Sequence, residues 1–235
     1  MSDAAQFAAP PGLLRAAWLV ARKDVAIELR SRSALYSAFA FTVLGIVIFY
    51  FAWDSSAVAP ADLAPGVLWV IFTFSGLLAL NRSFTLEQTD RAIDALLAAP
   101  VDREAIFLGK ALANLLFVCA VQVVAIPSVA LFYNLSLAGI WPALAGIAFA
   151  AAVGLVSVGT LFSAMATNTR MAELLLPMLA LPFFVPVVMP AAQVTARLLT
   201  GRPMAEAWPW LRILLGFDLV FLVACTLAFP FTLEE

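Results

Sequence analysis

Three groups of residues in this sequence have types and spacings that suit something other than filling a core. Leu86, Glu87, Asp90, Arg91, Asp94 and Leu97 lie in a long charged internal segment, 81–110. At helical spacing Leu86, Ile93, Leu96 and Leu97 share an apolar face with Glu87, Asp90, Arg91 and Asp94 opposite. Residues 86–98 therefore read as a short amphipathic helix that Pro100 stops. Such a helix suits the receipt of force from a soluble partner, and it equally suits a solvated joint between two membrane spans. Asp218 is the one acidic residue deep in an apolar run, where a carboxylate is costly enough to be a candidate functional group. Pairing with Arg212 or Arg197, or protonation, would account for it structurally. Pro177, Pro182, Pro186 and Pro190 punctuate a further apolar run. Each deletes a helix hydrogen bond, so the segment is expected to hinge, or to turn back early with 193–210 as re-entrant or surface helices.

Other chemistry is excluded by what is missing. The chain has no His, so no Ser/His/Asp or Cys/His constellation can form, and the commonest ligand of zinc and haem is absent. Cys119 and Cys225 sit in apolar runs and not in a C-x-x-C pair, which implies no disulfide. Gly109-Lys110 lacks the preceding Gly and the following Ser or Thr of a phosphate-binding loop. The chain is thus expected to be no enzyme, with no catalytic, metal-ligating or cofactor-binding residue of its own. No nucleic-acid partner is expected.

The elements that carry these residues follow from hydropathy. Hydrophobic residues make up 64% of the chain and charged residues 12%, against about a quarter charged in a soluble domain. Apolar runs near 20 residues long, enough for about 30 Å of hydrocarbon, occupy 34–53, 63–80, 174–196 and 213–233. Residues 111–169 carry no charge and are far too long for one crossing, so they fold back. Asn134, Ser136, Gly139 and Pro142 put that turn at 133–142, with Tyr133 and Trp141 suited to an interfacial belt. An all-α integral membrane protein with six spans is expected, its domain at 34–235 and its spans free of His, Lys and Arg.

With the N-terminus inside, Arg15, Arg22, Lys23, Arg30, Arg32, Arg82, Arg91, Arg103, Lys110 and Arg170 fall on the cytoplasmic side. Only Arg197, Arg202 and Arg212 of the 13 cations fall outside. This obeys the positive-inside rule and puts both termini in the cytoplasm. The first apolar run begins too late for a secretory signal. In the preceding segment, 1–33, Leu14, Trp18, Ala21, Val25 and Leu29 share a helix face, with Arg15, Arg22, Lys23 and Arg30 around it and Asp24 and Glu28 between. It reads as an interfacial amphipathic helix against membrane lipid, or else as a helix packed on the bundle. Gly146, Ala150, Gly154, Ser157, Gly159, Thr160 and Ala164 form a small-residue stripe that permits close helix contact, within the bundle rather than at a dimer face.

Particular stretches are recognisable beyond this. Ala64-Pro65-Gly66-Val67-Leu68-Trp69-Val70, then Leu86-Glu87, then Leu96-Leu97-Ala98-Ala99-Pro100, resembles the haem exporter protein B family, the membrane subunit of the cytochrome c maturation ABC complex. Gly109-Lys110-Ala111-Leu112-Ala113 and Leu181-Pro182-Phe183-Phe184-Val185-Pro186-Val187 are similar to the family's third-span entry and proline-rich fifth span. Asn114 stands where relatives often carry His, and 88–92 lacks their Asp-Gly turn. The resemblance implies an ABC-2-type permease in the bacterial inner membrane, paired with a second copy, with 86–98 as the coupling helix on an ATPase subunit (cytochrome c maturation A). It implies further partners: a haem-handling C subunit, a small D subunit and a periplasmic haem chaperone. ATP would sit on the partner, and haem would be handled by the complex. Its implied task is to couple ATP hydrolysis to haem export or to release of the loaded chaperone. An ABC-2 permease for a lipid, glycan or drug, or a membrane scaffold without an ATPase, are the alternatives.

Overall fold

Hydrocarbon offers the backbone no hydrogen bonds, so apolar runs of this length satisfy their own, and each of them is helical. The structure, a computed structural model, describes residues 12–89, 101–166 and 172–232. It contains α1 (Leu13–Ser31), α2 (Ser33–Ala52), α3 (Pro60–Thr89), α4 (Arg103–Phe132), α5 (Trp141–Ala166), α6 (Ala172–Leu199) and α7 (Met204–Thr232). The six from α2 to α7 are long and apolar enough to cross a membrane, as expected.

α5 is the hub. Ala151, Ala152, Leu155, Val156 and Val158 are buried against α3, α4, α6 and α7. Its small residues set the spacing: at Gly159 a Cβ would collide with Leu80 of α3. Gly154, Ser157, Thr160 and Ala164 are buried inside the bundle, whereas Gly146 is exposed with open space around it. Buried polar pairs tie the helices at specific heights. Thr42 bonds Ser75 at 2.8 Å, Trp69 Nε1 donates to Thr195 Oγ1 at 3.0 Å, and Ser163 donates to the Leu80 carbonyl at 3.3 Å. Asn114 Nδ2 donates to Thr160 Oγ1 at 3.0 Å, so this position joins α4 to α5.

The joints follow local chemistry. Arg32 adopts the left-handed conformation (φ 53°) and returns its N–H to the Glu28 carbonyl, ending α1 so sharply that α2 begins at the next residue. Asn134 (φ 50°) and Gly139 (φ 83°) make the turn between α4 and α5 where it was expected. Trp141 is exposed there, whereas Tyr133 is not. It is buried at 1% exposure among Tyr50, Trp53 and Phe132, because the turn folds its ring onto the end of α2. Gly201 (φ 66°) opens the short link from α6 to α7.

Four boundaries differ from expectation. α3 does not close at Asn81 and Arg82 but continues to Thr89. α4 begins at Arg103 and takes Lys110 into the span, which helix α1 makes tolerable. α6 runs unbroken through its four prolines to Leu199, and α7 already starts at Met204. The separate short helices expected over 193–210 are therefore not present. Those residues complete a helical hairpin, since neighbouring helices can support a span whose own ladder is interrupted.

α1 lies on the base of α4. Ala16 and Ala17 are buried on Ala105, and at Gly109 a Cβ would sit 2.6 Å from the Ala17 carbonyl oxygen and 2.6 Å from Val20 Cβ. Only hydrogen fits there. The replacement Gly109→Leu is expected to lift α1 away and cost about 2 kcal/mol. Limited proteolysis would read this as new cleavage within 13–31, and unchanged protection would show that the contact is dispensable.

Candidate functional site

Asp218 lies at the midpoint of α7, about 21 Å of helix from either end. It is deeper than the sequence suggested, because α7 begins well before Ile213. The residue is 7% exposed, and its Oδ1 has no hydrogen-bond partner. The stripe on α5 brings it there: a Cβ on Gly154 would collide with Asp218 Oδ1 and lie 2.8 Å from Val187 Cγ2 of α6. Three helices thus meet on one unshared oxygen. Neither expected counter-charge reaches it. Arg197 donates to the Gln193 carbonyl (2.8 Å) and Oε1 (2.7 Å) and lies 5.8 Å from the Trp210 ring centre, while Arg212 lies over Trp208 at 5.4 Å. Both guanidiniums act as anchors at the end of the α6–α7 hairpin.

Around this point α6 carries Pro177, Pro182, Pro186 and Pro190. A proline at position i leaves the carbonyl at i−4 without its helix donor, which here frees the carbonyls of Glu173, Met178, Pro182 and Pro186 from the ladder. The unpartnered Asp218 Oδ1 thus packs beside the stretch of α6 at Val187, between Pro186 and Pro190. Between α3 and α6 a groove of about 290 Å³ is lined by Gly66, Trp69, Thr73, Phe184, Val188 and Met189 among others. Its polar groups are engaged elsewhere, Thr73 donating to the Trp69 carbonyl and Trp69 to Thr195.

The charged segment is in part outside the described residues: Asp90, Arg91, Asp94 and Leu97 lie there. Leu86 and Glu87 do not begin a separate short helix. They belong to the end of α3, whose Trp69, Phe72, Leu77 and Leu80 are buried in the core. Residues 81–89 add about 13 Å of continuous helix beyond the apolar window Pro60–Leu80.

Sequence reasoning missed Lys110 as a structural residue. Its Nζ, fully buried, lies 3.2 Å from Asp24 Oδ2, while Lys23 approaches Asp24 Oδ1 at 3.1 Å. The signal was available as a Gly-Lys pair at the mouth of a span, but only the fold reveals which carboxylate answers it. Among the described residues no group of His, Cys, Asp and Glu could hold a metal ion.

These features lie within a stretch that matches a known family. The profile of the family described as CcmB protein covers residues 15–235. The chain belongs to that family. A similar relative is heme exporter protein B of Paracoccus denitrificans, 29% identical over 206 residues, 88% of this chain and 89% of the relative. The protein of the same name in Rhodobacter capsulatus is 28% identical over 176 residues, 74% of this chain and 80% of its own. That of Pseudomonas aeruginosa is 25% identical over 201 residues, 86% and 90%. As a CcmB family member the chain is a multi-pass membrane protein, and the matched region holds α1's cationic half, the long α3, the proline helix α6 and Asp218 together.

Proposed function

We propose that this chain is the permease subunit of an ATP-driven complex of c-type cytochrome maturation in the bacterial inner membrane. In this reading it transmits motion from an ATPase subunit to periplasmic partners that hold haem. The observation that carries it is α3. One unbroken helix joins Leu86 and Glu87 to a core-buried Trp69 and Phe72, so a push at its end needs no flexible joint to reach the bundle. Residues 86–98 are the contact with the ATPase, and the ten-to-three distribution of cations supports a cytoplasmic location for it. α6 supplies the give: its prolines are the hinge, and Asp218 changes hydrogen-bond partners as α6 and α7 move over α5.

Release of the haem-loaded chaperone fits better than carriage of haem through this subunit. The chain has no His to ligate iron, Lys110 already answers Asp24, and the groove between α3 and α6 offers no free polar group to a porphyrin propionate. ATP binds the ATPase, haem the C subunit and chaperone, and a second copy of this chain completes the permease with the D subunit beside it.

Charge reversal at Glu87, Asp90 and Asp94 tests the reading. Co-purification with the ATPase subunit from membranes is expected to fall at least tenfold, while the variant remains folded and membrane-inserted. An unchanged pull-down would sink the coupling role and favour a scaffold. Haem movement into vesicles that contain only this chain and its ATPase would sink the release mechanism.

A further inference from the structure

The two acidic residues of α1 do not face outward. Asp24 lies between Lys110 and Lys23 and keeps only 11% of its side chain exposed. Glu28 is 6% exposed and accepts from the Leu35 N–H at 3.4 Å. Read in sequence α1 is a helix of mixed charge; folded, its outward charge is positive. At about 100° per residue the helix divides into three sectors. One holds Ala16, Ala17, Val20, Asp24 and Glu28 and is docked on the bundle. The next holds Leu14, Trp18 and Leu29, exposed at 80%, 59% and 54%. The third holds Arg15, Arg22 and Arg30, all exposed, with Leu19 and Ala26 exposed among them.

The order of these sectors matters. The apolar stripe adjoins both the docked face and the cations, so a helix seated at a bilayer surface beside its own bundle can present all three at once. There the stripe enters the acyl boundary and the arginines stay among the headgroups. We propose that α1 is an anionic-phospholipid clamp: lipid phosphates on Arg15, Arg22 and Arg30 hold it on α4, so that membrane charge sets how firmly the base of α4 is braced. A phospholipid is the occupant because charge complementarity is joined to an apolar stripe in the same helix, and a soluble acidic partner would leave Leu14 and Trp18 uncovered. The inference rests on the fold and on Gly109 and Lys110, not on the identity of the transported or released group.

Full-length chain in nanodiscs, one set of phosphatidylcholine and one with a third phosphatidylglycerol, provides the test. Hydrogen exchange over 13–31 is the readout. Each cation near an anionic surface is worth roughly a fivefold change in equilibrium. We expect at least tenfold slower exchange in the anionic discs, and that difference should disappear in the triple variant R15Q/R22Q/R30Q and persist in R15K/R22K/R30K. Equal exchange in both lipids would overturn the proposal. So would protection that ignores lipid charge and follows the addition of partner subunits, which would make the basic sector a protein-docking face.

Discussion

Asp24→Ala should be among the most damaging single substitutions in the described part of this chain, although Asp24 lies outside the transmembrane bundle. It removes the carboxylate 3.2 Å from the Lys110 Nζ, which has no solvent exposure. Removing that counter-charge from a buried ammonium costs up to about 3–5 kcal/mol, more than the intact pair contributes over a well-packed apolar replacement. The double variant Asp24→Leu with Lys110→Met should therefore recover most of the loss. Melting of detergent-solubilised protein, followed by a fluorescent fusion, would read a drop of several degrees for Asp24→Ala and a partial return for the double change. If Asp24→Ala and the double change were equally mild, Lys110 would have to reach water as the helices breathe, and α1 would be a passive cover.

Gly154→Val is the second. Its side chain would occupy the space held by Asp218 Oδ1 and the Val187 methyls, so α5 must separate from α6 and α7 together. Overpacking of a rigid interior costs about 1–3 kcal/mol, and a contact shared by three helices belongs at the upper end. Gly146→Val, with open space around it, should melt within a degree of wild type. Coupling separates steric conflict from a role of the carboxyl. Asp218→Ala should relieve part of the Gly154→Val defect, because the two sites touch. Asp218→Asn keeps the shape, so a loss of function in vivo without a loss of stability would mark the carboxyl itself as functional. If Asp218→Asn matched wild type in both assays, Asp218 would be a packing residue only.

Legibility in the sequence varied with the kind of signal. Six spans, the turn near 133–142 and the small-residue face of α5 were readable because length, breakers and residue size act locally, whatever the rest of the chain does. The packed reading of α1 holds: Ala16, Ala17, Val20 and also Ala21 of the expected stripe are buried, while Leu14, Trp18 and Leu29 face outward, and a helix can present both because its faces are independent. The error at 193–210 came from treating prolines as helix breakers, whereas α3 and α5 support α6 from outside. The expected Asp218 partners failed because nearer groups take them: Arg197 finds Gln193 one turn away and Trp210 across the hairpin, and Arg212 finds Trp208 one turn away.

The amino-acid sequence by itself determined that this chain crosses a membrane six times, that it has no imidazole for haem or metal chemistry, and that its cations gather at one side. Composition and periodicity suffice for these, since transfer from water to lipid is a property of each segment alone. Only the tertiary structure decided that Lys110 is answered by Asp24, that Asp218 has an oxygen unanswered, that α3 runs unbroken past Arg82, and that α1 turns its acids inward and its arginines out. Those depend on which faces meet across long separations in sequence, where a single glycine hydrogen or one carboxylate within hydrogen-bonding distance determines the outcome.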